Sequence, residues 1–386
     1  MTPSPTFSDR PAFTEARLAE LEAWLHLSLC SGVGPVTART LLEAFGPPED
    51  ILEHSVGSLS KVIPSALAVA LKASVDHGSP QVQASIHWLR NTRHAHILTL
   101  SDSHYPQALL ALNDPPPVLF AHGQMAALDR PLLSIVGARH PTQSGEEHAL
   151  AFAKTLAQRG LSIVSGMAKG IDAAAHRGAL CQPASTIAVV GHGPDLFYPR
   201  IVAALHRELG EHGLIISEFA PGTAPMPAFF PRRNRLIAAL GLGTLVVEAA
   251  SKSGSLITAR QAAELGREVF AIPGSIDSPV KKGCHELIRQ GAKLVESAQD
   301  VLQELRITNG PILRGQAEPA SRAPESTAES GSYQGLLEAL GWDPITPDQA
   351  AVRLGMSALA FAQAFTELEI NHAIERLPDG RIQRLP

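Results

Sequence analysis

From residue 132 to residue 297 the chain alternates short apolar runs with amphipathic stretches, most of them about ten to fifteen residues long. The apolar runs are 132–137, LSIVSG at 161–166, STIAVVG at 185–191, LIISEF at 214–219, TLVVEA at 244–249, EVFAIPG at 268–274 and KLVES at 293–297. They are short and rich in β-branched residues, with little polar alternation, as strands buried on both faces must be. Helical segments between such strands make βαβ units. The pattern therefore predicts an α/β fold, an extended Rossmann-like, doubly wound and mostly parallel sheet.

The flanks read differently. Residues 1–15 carry no apolar periodicity and are expected to be disordered, and residues 16–95 form a small helical domain. Within it, LHLSLCSGVGPVTARTLLEAFG places Gly32-Val33-Gly34-Pro35 between two helices. This pattern fits a helix-hairpin-helix of the SAM-like kind, whose glycines let backbone N–H groups approach a phosphate. It fits equally a plain αα-hairpin whose glycines only make the turn, since Arg39 is its single cation. The segment HILTLSDSHYPQALLALNDPPPVLFAHG reads as two strands around a Pro115–Pro117 run, able to add edge strands to a core spanning 96–305. Residues 306–332 have the Ala, Pro, Ser, Glu and Gly composition of a linker. Residues 333–386 read as helix, turn, helix and then a hairpin around Asp379-Gly380, a winged helix.

Charge narrows where a polyanion could bind. The chain carries −5 overall, yet residues 132–303 hold 17 Lys+Arg against 14 Asp+Glu, leaving the flanks at −8. A nucleic acid would meet a focal patch on the core rather than a broad basic face. Cys30, Cys181 and Cys284 are too few and too scattered for a disulfide framework or a zinc site. With no long apolar run and no leader pattern at the N-terminus, no membrane span and a cytoplasmic location are expected.

In an open α/β sheet, ligands bind beyond the carboxyl ends of the strands. Five consecutive strand ends here carry Gly, Ser or a cation. They present Gly137 and Arg139; then Ser165, Gly166, Lys169 and Gly170; then Arg200; then Arg232, Arg233, Asn234 and Arg235; and lastly Gly254 and Ser255 before a helix. Glycine-rich turns at helix N-termini cradle phosphates, and arginine offers a planar fork of donors. One such turn is commonly only a turn. Five on one edge are hard to explain by packing. Phe197, Tyr198, Phe229 and Phe230 flank the edge, where they could stack unpaired bases or simply pack the loops.

Catalytic readings find less support. There is no P-loop motif, and GHGPDL lacks the third glycine of a dinucleotide fingerprint. Asp172 and His176, four apart on one helix, fit a helix-surface or capping contact better than an acid–base pair. Glu248, at the end of a buried strand, fits an ion-pair partner for a nearby arginine better than a catalytic carboxylate. No catalytic residue, metal or cofactor is expected.

The motifs SGMAKGIDAAAH, GHGPDLFYPR, GLIISEFAPGTAP, FFPRRNRLIA, SGSLITARQAAELGREVFAIPGS and GCHELIRQGAKLV occur in this order. Together they resemble the DprA (Smf) family across roughly residues 97–304. The resemblance implies a non-enzymatic homodimer that binds and protects single-stranded DNA in natural transformation and helps load the recombinase RecA. It implies strand contacts at Arg139, Lys169 with Ser165, Gly166 and Gly170, Arg200, and the run through Asn234 and Arg235. It places the self-association or recombinase face on late core elements, around Ala263, His285 and Leu294. Two departures stand out. His192 occupies a position more often Thr or Cys, suggesting a pH-sensitive contact. TELEINHAIERL has Asn371-His372 where a small Ala-Gly pair is usual, and the expected recognition helix, Ser357 to Ile370, holds two glutamates and no Lys or Arg, which suits a protein contact better than a duplex groove. The alternative is a nucleotide-processing enzyme or nucleotide sensor of the lysine-decarboxylase-like Rossmann group. Against the enzyme, SKSGSLITARQAAE lacks that group's paired glycines and glutamate, with Gln261 in the glutamate's place.

Overall fold

The computed structural model describes residues 14–307, 344–353, 356 and 358–385. Of the segment expected to be disordered (1–15), residues 1–13 lie outside these residues, as does nearly all of the expected linker, while Thr14 and Glu15 begin a helix. The chain begins with helices α1 (Glu15–Leu29), α2 (Pro35–Phe45), α3 (Pro48–Glu53), α4 (Val56–Leu59), α5 (Ser65–Asp76) and α6 (Pro80–Asn91). Thr14 caps α1 by accepting from the Arg17 N–H. Pro35 starts α2 behind Gly34, where a missing N–H costs nothing. Gly32 turns the hairpin at φ +87°, a region closed to most side chains.

Leu27, Leu41, Ile51, Leu59 and Leu71 give these helices a core of their own. A second cluster joins them to the sheet: Leu21 and Trp24 of α1 and Leu89 of α6 meet Ile97, Val118 and Phe120. Those three residues lie on β1 (Ala95–Thr99) and β2 (Val118–Gly123), the antiparallel pair expected at the sheet edge. The parallel sheet follows as β3 (Leu132–Val136), α7 (Gln143–Gln158), β4 (Ser162–Ser165), α8 (Ile171–Ala179) and β5 (Thr186–Val189). It continues with α9 (Ala203–His212), β6 (Leu214–Ser217), α10 (Phe229–Leu240), β7 (Gly243–Val246), α11 (Ser255–Glu264), β8 (Glu268–Ala271), α12 (Lys282–Arg289), β9 (Lys293–Leu294) and α13 (Ala298–Glu304).

Nine strands form one sheet in the order β1-β2-β6-β5-β4-β3-β7-β8-β9. All neighbours are parallel except β1 with β2 and β2 with β6. Every residue of β3 to β7 is buried, which explains the unbroken apolar runs. Separate apolar clusters cover the two faces, one under α10 and α11 and another under α7 and α8.

Helices α7 and α8 meet at close range through Gly178. A Cβ there would stand 2.2 Å from the Leu150 carbonyl oxygen, and backbone cannot swing away. Gly178→Ala is expected to force the helices apart and cost about 1–3 kcal/mol, read as a lower urea midpoint. An unchanged midpoint would mean the helices separate freely.

At the C-terminus, α14 (Pro347–Arg353), α15 (Ala358–Ile370), β10 (Ile374–Arg376) and β11 (Ile382–Arg384) form the winged helix. Phe361, Phe365, Leu368, Ile374 and Ile382 build its core. Its hairpin turns at Gly380, φ +83°, as the Asp379-Gly380 pair predicts. Among the described residues, no helix is long and apolar enough to cross a membrane.

Candidate nucleic-acid interface

The sheet order makes the chain reverse direction between β3 and β7. From β3 it winds outward through β4, β5 and β6, then returns to place β7, β8 and β9 on the other side. Such a switch point leaves a crevice at the carboxyl ends of its two strands. A cleft of about 490 Å3 opens there, between the loop after β3 (Gly137 to His140), the loop after β7 (Ala250 to Ser255) and α10.

Cations rim this cleft. Arg139 and Lys252 line it and are exposed, while Lys169 is half-buried nearby, with Nζ 3.4 Å from His140 Nδ1. Among the described residues, neither Arg139, Lys169, Lys252 nor Arg200 has a carboxylate within 4.0 Å. Arg200 is exposed in the loop after β5. Lys252 was not singled out by sequence. Its place within SKSGS, two residues before the Gly254 cap of α11, was the available signal.

The arginine run on α10 does not form one outward track. Arg232 is exposed but pairs with Glu218 at 3.1 Å, and its guanidinium lies 5.6 Å from the Phe219 ring centre. Arg233 is only 5% exposed and donates to the Val189 carbonyl at 2.6 Å, forming part of the cleft lining. Burial lowers its pKa to about 10, against the pull of nearby Asp172. Arg235 is buried with Glu218, 2.5 Å away, and also donates to the Asp114 carbonyl. Asn234 remains half-buried in the cleft wall. A four-residue helical run cannot face one way, since each step turns about 100°.

The small residues also turn out to hold the frame. A Cβ on Gly137 would stand 2.6 Å from the Ile171 side chain, so this glycine admits α8 against the loop. A Cβ on Gly166 would overlap the Arg233 guanidinium. Gly170 caps α8 at φ +82°. Ser165 is buried and donates to the Ile135 carbonyl, and Ser255 is held against Ser253 at 2.6 Å. Gly254 has open space around it, so its backbone is the approachable one at the N-terminus of α11.

Neither Asp172 nor His176 lies on a helix surface. Asp172 is buried and accepts from the Gly166 and Ala168 N–H groups, organising the loop ahead of α8. Its pKa is raised by burial against the opposing pull of Arg233. His176 is fully buried with Nδ1 2.7 Å from Thr186 Oγ1, and burial and Arg233 lower its pKa to about 3. Glu248 does serve as a partner, though for lysine and threonine rather than arginine. It accepts from the Thr142 N–H and hydroxyl at 2.9 and 2.8 Å and faces Lys281 at 3.5 Å. Thr142 caps α7, so Glu248 ties the start of that helix to the end of β7. His192 is 2% exposed, with Nδ1 2.9 Å from its neighbour's carbonyl at Gly193, and burial lowers its pKa. It is a buried neutral ring, not a pH-sensitive surface contact.

Among the aromatics, Phe197 and Tyr198 are 45% and 42% exposed. Tyr198 stacks on Phe230 with centres 5.9 Å apart, and Phe229 stacks on Phe219 at 4.2 Å. Leu294 of the edge strand β9 is 51% exposed, and on α11 Ala263 is exposed and Ile257 is 42% exposed. His285 is half-buried, its Nε2 3.0 Å from the Gly274 carbonyl. The turn from Val33 to Pro35 faces the core across a crevice of about 40 Å3, with Pro116, Glu218 and Arg232 opposite. Arg39 pairs with Glu43 on the hairpin's outer surface.

A switch-point crevice rimmed by unpaired cations and a helix N-terminus defines a doubly wound α/β protein suited to an anionic, phosphate-bearing ligand. The chain belongs to the DprA (Smf) family. The family pattern "DNA recombination-mediator protein A" matches residues 96–306, and "DprA winged helix domain" matches 318–380. The chain is 40% identical to Protein Smf of Escherichia coli over 304 residues, covering 78% of this chain and 80% of that one. It is 46% identical to DNA processing protein DprA of Streptococcus pneumoniae over 206 residues, 53% of this chain and 73% of that one. The solved structure of the Streptococcus pneumoniae protein superposes with a TM-score of 0.63 at 35% identity, covering 75% of this chain and 98% of that one. A Helicobacter pylori DNA processing protein A, described for its single-stranded DNA binding mode, superposes at 0.51 and 32% identity, covering 56% of this chain and 98% of that one.

Proposed function

We propose that this protein binds single-stranded DNA along the carboxyl edge of its sheet and hands it to RecA during transformation and recombination in the cytoplasm. The observation that carries the reading is the cluster of Arg139, Lys169 and Lys252 around the switch-point cleft, with no carboxylate within 4.0 Å among the described residues. Arg200 extends the cations beyond the cleft, which suits a backbone track rather than a single phosphate. Exposed Phe197 and Tyr198 beside it suit unpaired bases. The Helicobacter pylori relative, described as a single-stranded DNA binder, supports the same reading.

We take the protein to act without catalysis. Asp172, which lines the cleft, and Glu248, just after β7, are committed to backbone, threonine and lysine partners. A homodimer through the late core elements around Ala263, His285 and Leu294 completes the proposal, the same region serving recombinase contact. The winged helix then acts as a protein-contact module, with exposed Glu367 and Glu369 on α15.

Gel shifts with single-stranded and duplex oligonucleotides across a salt series test the strand reading. The double variant Arg139→Ala, Lys169→Ala is expected to bind single strands more weakly. Its log affinity against log salt should be shallower by about 1.4, or about 0.7 per lost phosphate contact. Equal binding of single strand and duplex, or an unaffected double variant, would sink the proposal. Light scattering should give twice the chain mass, and a monomer at micromolar concentration contradicts the dimer.

A further inference from the structure

A larger concavity, about 770 Å3, lies away from the switch point. It runs along the seam between the helical region and the core. One wall is the end of α6 and the residues after it, with Trp88 and Arg93. The other is α9 with His206 and Arg207, and Phe197 stands at its mouth. His122 of β2 lines it too, beneath Gly210, where an added Cβ would stand 2.9 Å from the imidazole Cε1. The missing side chain at Gly210 therefore leaves room for the imidazole against α9.

Three features give this groove a chemical character unlike that of the cation-rimmed cleft. First, its inner polar groups are neutral at ordinary pH. Burial lowers the pKa of His206 to about 4 and also lowers that of His122. A neutral imidazole has one donor and one acceptor nitrogen, the complement of a nucleobase edge rather than of a phosphate. His206 is 2% exposed, and its Nε2 has no hydrogen-bond partner among the described residues. Second, the aromatic surface is available. Phe197 is 45% exposed, edge-on to His206 with centres 4.8 Å apart and with the Arg207 guanidinium 5.4 Å from its centre. Third, the charged groups are distributed unevenly. Arg93 and Arg207 are exposed. Of the acids, Asp195 is engaged by the Gly222 N–H at 2.9 and 3.1 Å, and Glu211 faces His212 at 3.8 Å.

The groove shares a loop with the proposed strand path. Asp195 and Phe197 belong to the same loop as Arg200, which follows β5 at the carboxyl edge. We propose that the groove takes a nucleotide of a single strand that runs on past Arg200, with its base on Phe197 and the imidazole wall and its phosphates on Arg93 and Arg207. This rests on the single-strand reading of the edge and lengthens the site around the flank of the core. The helical region, rather than its glycine hairpin, then supplies a DNA contact through Arg93.

The experiment compares fluorescence anisotropy of labelled single strands of about 5 and about 16 nucleotides, spanning usual single-strand site sizes. Four proteins are used: wild type, Arg93→Ala with Arg207→Ala, Phe197→Ala, and the Arg139→Ala, Lys169→Ala variant. All five residues are at least partly exposed, and circular dichroism melting checks that the folds match. The groove variant is expected to weaken the long strand about tenfold and leave the short one unchanged. Phe197→Ala should do the same, about what one lost base stack is worth. The edge variant should weaken both lengths. If the groove variants leave the long strand unaffected while the edge variant weakens it, the groove proposal fails and the edge reading stands. If neither pair matters, both fail. A labelled free mononucleotide is the last arm. Wild-type binding that rivals the long strand and vanishes in Phe197→Ala would reassign the groove to free nucleotide and overturn its place on the strand path.

Discussion

Arg235→Ala is expected to lower the unfolding free energy by about 3–5 kcal/mol, the usual cost of removing one partner from a buried ion pair. Arg235 is 8% exposed, and its guanidinium lies 2.5 Å from Glu218, itself at a buried strand end. Burial raises the Glu218 pKa, and Arg235 is the main charge opposing that rise. Without Arg235 only Arg232, 3.1 Å away, opposes burial, so the carboxyl group holds its proton to higher pH in the fold than when unfolded. An acid whose folded pKa is raised binds more protons folded than unfolded, so its stability contribution falls as pH rises. The variant should therefore regain part of its loss as pH is lowered from 8 towards 6 (roughly the window above the ordinary carboxylate range). Urea unfolding measures both effects. Replacing the pair together, Arg235→Met with Glu218→Leu, should recover most of the stability, since an apolar pair needs no compensation. A variant of normal stability that loses DNA affinity in a salt-dependent way would instead make Arg235 a strand contact.

That prediction separates two roles which the FPRRNR run does not distinguish. In sequence, Arg232, Arg233 and Arg235 are three neighbouring cations on a strand-end loop. On a helix they point in different directions. Arg232 is exposed and paired with Glu218, Arg233 lines the crevice from within and Arg235 is buried against Glu218. Period and composition reveal the strands, because burial on both faces demands uninterrupted apolar runs. They also reveal the edge, because loops after parallel strands must lie together. They do not reveal which cations a buried acid claims. Glu218 sits in LIISEF as though it were the polar end of a strand, and the Arg235 it claims is shared with a carboxylate as distant as Asp114. The same limit explains Glu248, whose lysine lies 33 positions downstream at Lys281. The imidazole wall of the seam groove is less legible still. His122 and His206 come from separate elements, brought together by an antiparallel strand added to a parallel sheet.

Acidification is expected to destabilise the fold through its buried histidines. His176 and His206 are neutral in the native state, with pKa values lowered to about 3 and about 4. Unfolded, each would titrate near the ordinary value of about 6.5. Between these limits the unfolded chain binds the extra proton, so the stability these groups give is complete above pH 6.5 and is lost as pH falls. At pH 5 each has given up on the order of 2 kcal/mol relative to neutral pH, about 4 kcal/mol together. Asp172 and Glu218, with raised values, act in the opposite sense and offset part of the loss. A comparison of variants isolates the histidine contribution. His176→Gln keeps a neutral polar group beside Thr186 and removes the titration. Its stability difference between pH 7.5 and pH 5 should be smaller than wild type's by about 2 kcal/mol. Equal differences in the two proteins would show that His176 titrates near its ordinary value when folded. The location gives this result its reach. His176 lies in the same field as Arg233, and Arg233 opposes its protonation while forming the inner wall of the cleft. A proton on His176 would set two buried cations against each other with Asp172 as their nearby acid. The frame holding Gly166 and the start of α8 would then loosen where the strand is proposed to bind.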